Sequence, residues 1–67
     1  MQNVINSTRK QQKLSQAELA AKTGVTRQTI NAIENDKYDP SLDLAFKLAD
    51  VLGLRVDQLF LWGNRHD

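Results

Sequence analysis

The stretch from Ser15 to Asn35 places a helix start, a helix stop and a second helix start in quick succession. Only two short helices joined by a tight turn satisfy all three signals. Ser15 followed by Glu18 fits a capping box, in which the hydroxyl accepts from a free backbone N–H and the carboxylate reaches back to the cap. Leu19, Ala20 and Thr23 then share one face, and Ala20 is small where two helices must cross closely. Gly24 stands where a left-handed stop needs a residue without a Cβ. Val25 is an apolar plug for the turn, and Thr26 is an N-cap for the next helix. The spacing predicts helices over 16–23 and 27–35.

The second of these helices resolves by angle. With Arg27 at zero and about 100° per residue, Ile33 and Ile30 fall near ~240° and ~300° and define a buried face. The opposite face centres near ~90° and holds Asn31, Asn35, Gln28 and, at its edge, Ala32. Arg27 and Thr29 lie on its flanks. A short helix pair with an outward face of Arg, Gln and Asn has the layout of a helix-turn-helix, whose second helix enters the DNA major groove. Arg pairs with guanine O6 and N7, and Gln or Asn pairs with adenine N6 and N7. By the same angles Glu34 lies about 70° from the centre of the buried face, which predicts partial enclosure.

Sixty-seven residues allow one domain, with its core over about 4–62. A chain this short buries only ~60% of its unfolded surface, so dimerisation is an expected source of added burial. The chain has no Cys, which excludes a disulfide frame and a thiolate metal site. Its one His, His66, stands in a polar tail and reads as solvated, neither a metal ligand nor a catalytic residue. Neither a nucleophile with its base nor a metal cluster can be assembled, so the reading is not an enzyme, with no cofactor and no evident small-molecule ligand. No signal peptide or long apolar run is visible, which predicts a cytoplasmic protein associated with the nucleoid and not with a membrane. The net charge of +1 is uninformative, but its distribution is not. Residues 1–33 carry Arg9, Lys10, Lys13, Lys22 and Arg27 against Glu18 alone, while the remainder is net acidic. The positive half holds the proposed reading unit, a mild electrostatic footprint for nucleic acid.

The whole chain reads as all-α with five helices. The first spans about 3–12. A polar connection over 36–41 contains Pro40, which disfavours the α region at Asp39. Ser41 caps a fourth helix over 42–52, stopped by Gly53. A short fifth helix covers about 56–61. Leu42, Ala45, Phe46, Ala49 and Leu52 form one apolar stripe, and Leu44, Leu48 and Val51 form another, so the fourth helix is expected to be central and its stripes to be core.

These strings resemble the Cro/CI-like (XRE) family of helix-turn-helix transcriptional regulators, in its short single-domain form. Leu14-Ser15-Gln16-Ala17-Glu18-Leu19-Ala20, Arg27-Gln28-Thr29-Ile30-Asn31-Ala32-Ile33-Glu34-Asn35 and Lys37-Tyr38-Asp39-Pro40-Ser41-Leu42 carry the resemblance, which covers Ile5 to Phe60. It implies a five-helix, lambda-repressor-like domain, with a short terminal β-ribbon left open. It implies double-stranded DNA as partner, base reading by Arg27, Gln28 and Ala32, with Asn31 beside them, and a phosphate held at Gln16. Thr26, Asn35 and Lys37 complete the expected phosphate grip. Arg9 and Glu34 match a pair that bridges the first helix to the third in phage repressors of the family. Three positions depart from the pattern: Lys13 where Gly is usual, Arg55 where Ser or Thr is common, and Thr8 where an apolar residue is usual. Lys13 then needs either a costly left-handed conformation or a different turn.

The leading expectation is a repressor that binds a palindromic operator as a homodimer. Leu54, Leu59, Leu61 and Trp62, clustered near the end of the chain, are the expected two-fold interface. A fold-back of Trp62 over Val4 and Ile5 is the competing arrangement. The alternatives in function are an antitoxin-like protein-interaction module and a controller protein of a restriction–modification system.

Overall fold

The computed structural model describes residues 1–61. In chain order it contains β1 (Gln2–Asn3), α1 (Ile5–Gln11), α2 (Gln16–Thr23), α3 (Arg27–Glu34), α4 (Leu42–Leu52), α5 (Val56–Leu59) and β2 (Phe60–Leu61). The caps explain why α2 and α4 begin and end where the local signals place them. Ser15 Oγ accepts from the Glu18 N–H at 2.9 Å while the Ser15 N–H donates to Glu18 Oε1 at 2.8 Å, closing the capping box. Gly24 ends α2 at φ 76°. Ser41 Oγ accepts from the Leu44 N–H at 3.1 Å, and Gly53 ends α4 at φ 74°.

The outer helices are shorter than their apolar patterns predict, for a non-local reason. β1 and β2 pair antiparallel, Gln2 opposite Leu61 and Asn3 opposite Phe60, so these residues are extended and not helical. Their backbone groups bond across the ribbon, continued by the Val4 N–H donating to Leu59 O at 2.9 Å. Asn3 therefore precedes α1: its Oδ1 accepts from the Ile5 N–H at 3.1 Å, and its Nδ2 donates to Ile33 O at 2.9 Å. The ribbon is thereby fixed to the end of α3. Asn35 likewise falls outside α3 as its C-cap, its N–H bonded to Asn31 O.

Ile5, Leu19, Ile30, Ile33, Leu48 and Leu59 are fully enclosed and draw one residue or more from every helix. α2 packs against both α3 and α4, so the helix pair at 16–34 is seated on a central helix. Two expectations about burial are corrected here. Leu59 is 0% exposed, because α5 turns it inward beneath the ribbon, and it has no surface to offer a second copy. Leu42 and Phe46, in contrast, are 70% and 59% exposed and do not belong to the core. They share a stripe with Ala45 and Ala49, but the core touches only the side of α4 that carries Leu44, Leu48 and Leu52 as well. Of the remaining interface candidates, Leu54 is half-buried against the core and Leu61 is exposed; Trp62 lies outside the described residues.

Lys13 takes the left-handed conformation, at φ 59°, where Gln12 caps α1 and the chain turns into α2. Asp36 does the same at φ 60° after α3. Asp tolerates this region better than Lys because its short polar side chain bonds locally. Lys13→Gly is expected to stabilise the domain by about 1 kcal/mol, and Asp36→Gly by less. Urea unfolding midpoints of the two variants check the order. A Lys13→Gly protein no more stable than the parent would show that the turn stores no strain.

Candidate nucleic-acid interface

α3 is held as a rigid rod by both its ends and its inner face. Thr26 Oγ1 accepts from the Thr29 N–H at 3.2 Å, and the two threonine hydroxyls lie 3.0 Å apart. Ile30 and Ile33 anchor the helix in the core. The opposite side then has to face solvent, and Arg27, Gln28 and Asn31 are all exposed on it. Ala32 is half-buried at the edge, where it offers only a methyl group. Asn35 Nδ2 donates to Asn31 O at 2.9 Å, and the Lys37 N–H donates to Ala32 O at 2.9 Å, so the chain after α3 is folded back on its last turn. Asn35 and Lys37 remain exposed beside the reading face.

The other flank is built around Glu34. Its side chain is only 3% exposed, and that of Arg9 only 9%. Arg9 Nε donates to Glu34 Oε2 at 2.7 Å and Arg9 Nη2 to Oε1 at 3.2 Å, a two-pronged contact between α1 and α3. Arg9 Nη1 also donates to Leu14 O at 2.9 Å, which holds the loop leading into α2. Glu34 Oε1 accepts two more bonds at 3.0 Å, from Asn6 Nδ2 on α1 and from Gln16 Nε2 at the start of α2. Burial pushes the Glu34 carboxyl up, but the bonds from Arg9, Asn6 and Gln16 and the guanidinium charge outweigh it and hold the group below the ordinary glutamate value. At α2, the Ser15 backbone and hydroxyl bonds keep the exposed Glu18 carboxyl low as well.

The positions named from sequence thus fall into two groups. Arg27, Gln28 and Asn31 form one exposed polar strip on α3, and Lys37 and Asn35 lie just past its end. Gln16 stands apart, half-buried and engaged with Glu34, and keeps its second amide hydrogen and its carbonyl for other contacts. Asn6 was not foreseen. Its one sequence signal is its spacing from Arg9, which puts both on one face of α1. Among the described residues, no cluster of His, Cys, Asp and Glu is arranged to hold a metal ion, and no helix is long and apolar enough to cross a membrane.

A short helix seated on a hydrophobic pivot, with amide and guanidinium groups outward and a preceding helix packed across it, defines a helix-turn-helix domain. The chain belongs to the Cro/CI-like (XRE) helix-turn-helix family, whose profile matches residues 5–59. An uncharacterised helix-turn-helix-type transcriptional regulator of Methanocaldococcus jannaschii is 48% identical over 62 residues, covering 92% of this chain and 94% of that protein. The restriction–modification controller protein C.AhdI of Aeromonas hydrophila superposes with a TM-score of 0.77 at 30% identity, over 84% of this chain and 85% of its own. SinR, a master regulator of biofilm formation solved in complex with DNA, superposes with a TM-score of 0.71 at 34% identity, over 78% and 84%.

Proposed function

We propose that this chain is a sequence-specific DNA-binding repressor that occupies a palindromic operator as a homodimer, with α3 in the major groove. The observation that carries the reading is the strip of Arg27, Gln28 and Asn31, exposed on a helix whose inner face is locked by Ile30 and Ile33. Those three side chains match the donor and acceptor patterns of guanine and adenine edges, and Ala32 beside them suits a thymine methyl. Gln16, Thr26, Asn35 and Lys37 are the proposed phosphate contacts. The start of α2 and the start of α3 add free N–H groups and the positive end of the helix dipole. One such domain reaches few base pairs, and two copies related by a two-fold axis double the reading. Occupying the operator by bulk is enough for repression.

Selection of bound duplexes from a random pool, followed by footprinting, tests the proposal. The expected product is an inverted repeat whose half-site centres are about 10 base pairs apart, one turn of DNA. Affinity for that operator should fall steeply as salt rises, because each neutralised phosphate releases counterions. A pool that yields no enriched sequence, or an affinity insensitive to salt, would overturn the reading.

A further inference from the structure

Glu34, Asp36 and Asp39 lie at and just beyond the end of α3, and their surroundings differ. Glu34 is closed in by Arg9, Asn6 and Gln16. Asp39 Oδ1 lies 2.8 Å from the Met1 ammonium. Asp36, between them, is exposed and makes no ion pair among the described residues. The Met1 ammonium feels the Asp36 charge, but its bond goes to Asp39.

The backbone fixes where Asp36 stands. Its φ is 60°, its N–H donates to Ile33 O at 3.1 Å, and the Lys37 N–H donates to Ala32 O at 2.9 Å. These two bonds close the last turn of α3 and hold Asp36 against the end of the helix. The left-handed turn asks for Gly, Asn or Asp, but it does not ask for a charge. Asp36 is joined directly to Asn35 and Lys37, the proposed phosphate contacts at this end of α3. Successive Cα atoms are about 3.8 Å apart, so a phosphate gripped by both neighbours lies about a Debye length or less from the Asp36 charge.

We infer, on the DNA-binding reading above, that Asp36 limits how tightly the domain holds DNA, its carboxylate opposing the phosphate that Asn35 and Lys37 grip. Lys37 alone would bring a full positive charge to this end of the helix, whereas beside Asp36 the pair brings no net charge. Phosphate contacts supply nearly all of the affinity for DNA of arbitrary sequence, so an acid among them weakens that affinity without touching the base edges that α3 reads. Arbitrary sites compete with the operator for the protein in great excess, and a weaker grip keeps the protein exchanging among them. A unit charge about 6 Å from a phosphate changes affinity about threefold even at the dielectric of water.

Asp36→Asn isolates the charge, because Asn takes the left-handed conformation as Asp does. Asp50→Asn is the control. It makes the same change in net charge at an exposed position of α4, on the side of the helix that carries Phe46. The full chain and both variants are titrated on an operator half-site and on a scrambled duplex, at low and at moderate salt. Asp36→Asn should bind both duplexes about threefold more tightly at low salt, with the gain shrinking as salt rises. Asp50→Asn should match the parent. A gain in affinity is a result that damage to the fold does not produce. Unchanged affinity for Asp36→Asn, or an equal gain from Asp50→Asn, overturns the inference and leaves the DNA-binding reading standing. A loss confined to the operator also overturns it, since the carboxylate would then be accepting from a cytosine amine. A parent protein with no measurable affinity for either duplex overturns the inference and the DNA-binding reading together.

Discussion

Arg9→Ala is expected to cost about 3–5 kcal/mol of stability, the largest effect of any single truncation outside the apolar core. The reason is the carboxylate it abandons. The Glu34 side chain is 3% exposed, and loss of the guanidinium removes two of its four bonds among the described residues and the positive charge that compensates it at close range. Small domains have a net stability of about 5–15 kcal/mol, so the variant should lose about a third or more of it at the centre of that range and unfold at a markedly lower temperature. Replacing both partners by apolar residues, as in Arg9→Met with Glu34→Leu, should recover much of the loss, because no buried charge is then left unpaired. Urea unfolding of the two singles and the double gives the coupling directly, and simple additivity would mean that the pair contributes nothing. Acid should reproduce the effect in the parent protein. Glu34 has a folded-state pKa below its unfolded one, so its contribution is fully present above the ordinary carboxyl pKa of about 4.3 and is lost as pH falls through the lower folded value. Glu34→Gln should be less stable at neutral pH and should lose less of its midpoint on acidification than the parent.

On DNA, Gln28→Ala and Arg27→Ala are each expected to weaken operator binding by about 1–3 kcal/mol, or roughly five- to a hundredfold. The loss should be much smaller on a scrambled duplex, and each variant should relax preference at one base pair per half-site. Both side chains are exposed on a helix that does not depend on them for packing, so unfolding midpoints should stay near the parental value. Lys37→Ala is the contrasting variant. As a proposed phosphate contact, its loss should weaken binding to both duplexes alike and lower the salt slope by about one. Titrations of each protein on both duplexes at several salt concentrations separate the two behaviours. Equal losses on operator and scrambled DNA for Gln28→Ala would show that this residue positions the helix and does not read bases.

What could be read from the sequence divides by the range of the interactions involved. α2 and α4 were legible to the residue because their limits are set by neighbours in the chain: Ser15 and Glu18, Gly24, Ser41 and Gly53. The angular argument for α3 was equally local, and it placed Ile30 and Ile33 inward, Gln28 and Asn31 outward and Arg27 on a flank, where the structure leaves it exposed. The limits of α1 and α5 were not legible, because Asn3 and Phe60 are drawn out of helix by pairing with each other across the length of the chain. The apolar stripe of α4 misled for a related reason. Periodicity says which residues share a side of a helix, but not whether another element covers that side, and Leu42 and Phe46 are left exposed. Around Glu34, helix angle indicated enclosure, but the two amides that complete its shell come from separate helices and carry no charge pattern to betray them.

The ribbon that joins Gln2–Asn3 to Phe60–Leu61 also sets the order of events during synthesis. Leu59 and Phe60 are interior residues, and they are among the last described residues to be made. While a ribosome still shields them, the core lacks its floor, and the strand at the start of the chain has no partner. The helices can form and meet earlier, but the domain closes only when translation has passed the ribbon. Once closed, neither strand can be released alone, since releasing one exposes the other. The strands Gln2–Asn3 and Phe60–Leu61 therefore lie at one edge of the molecule, beside the mouth of a groove that Met1 and Phe60 share.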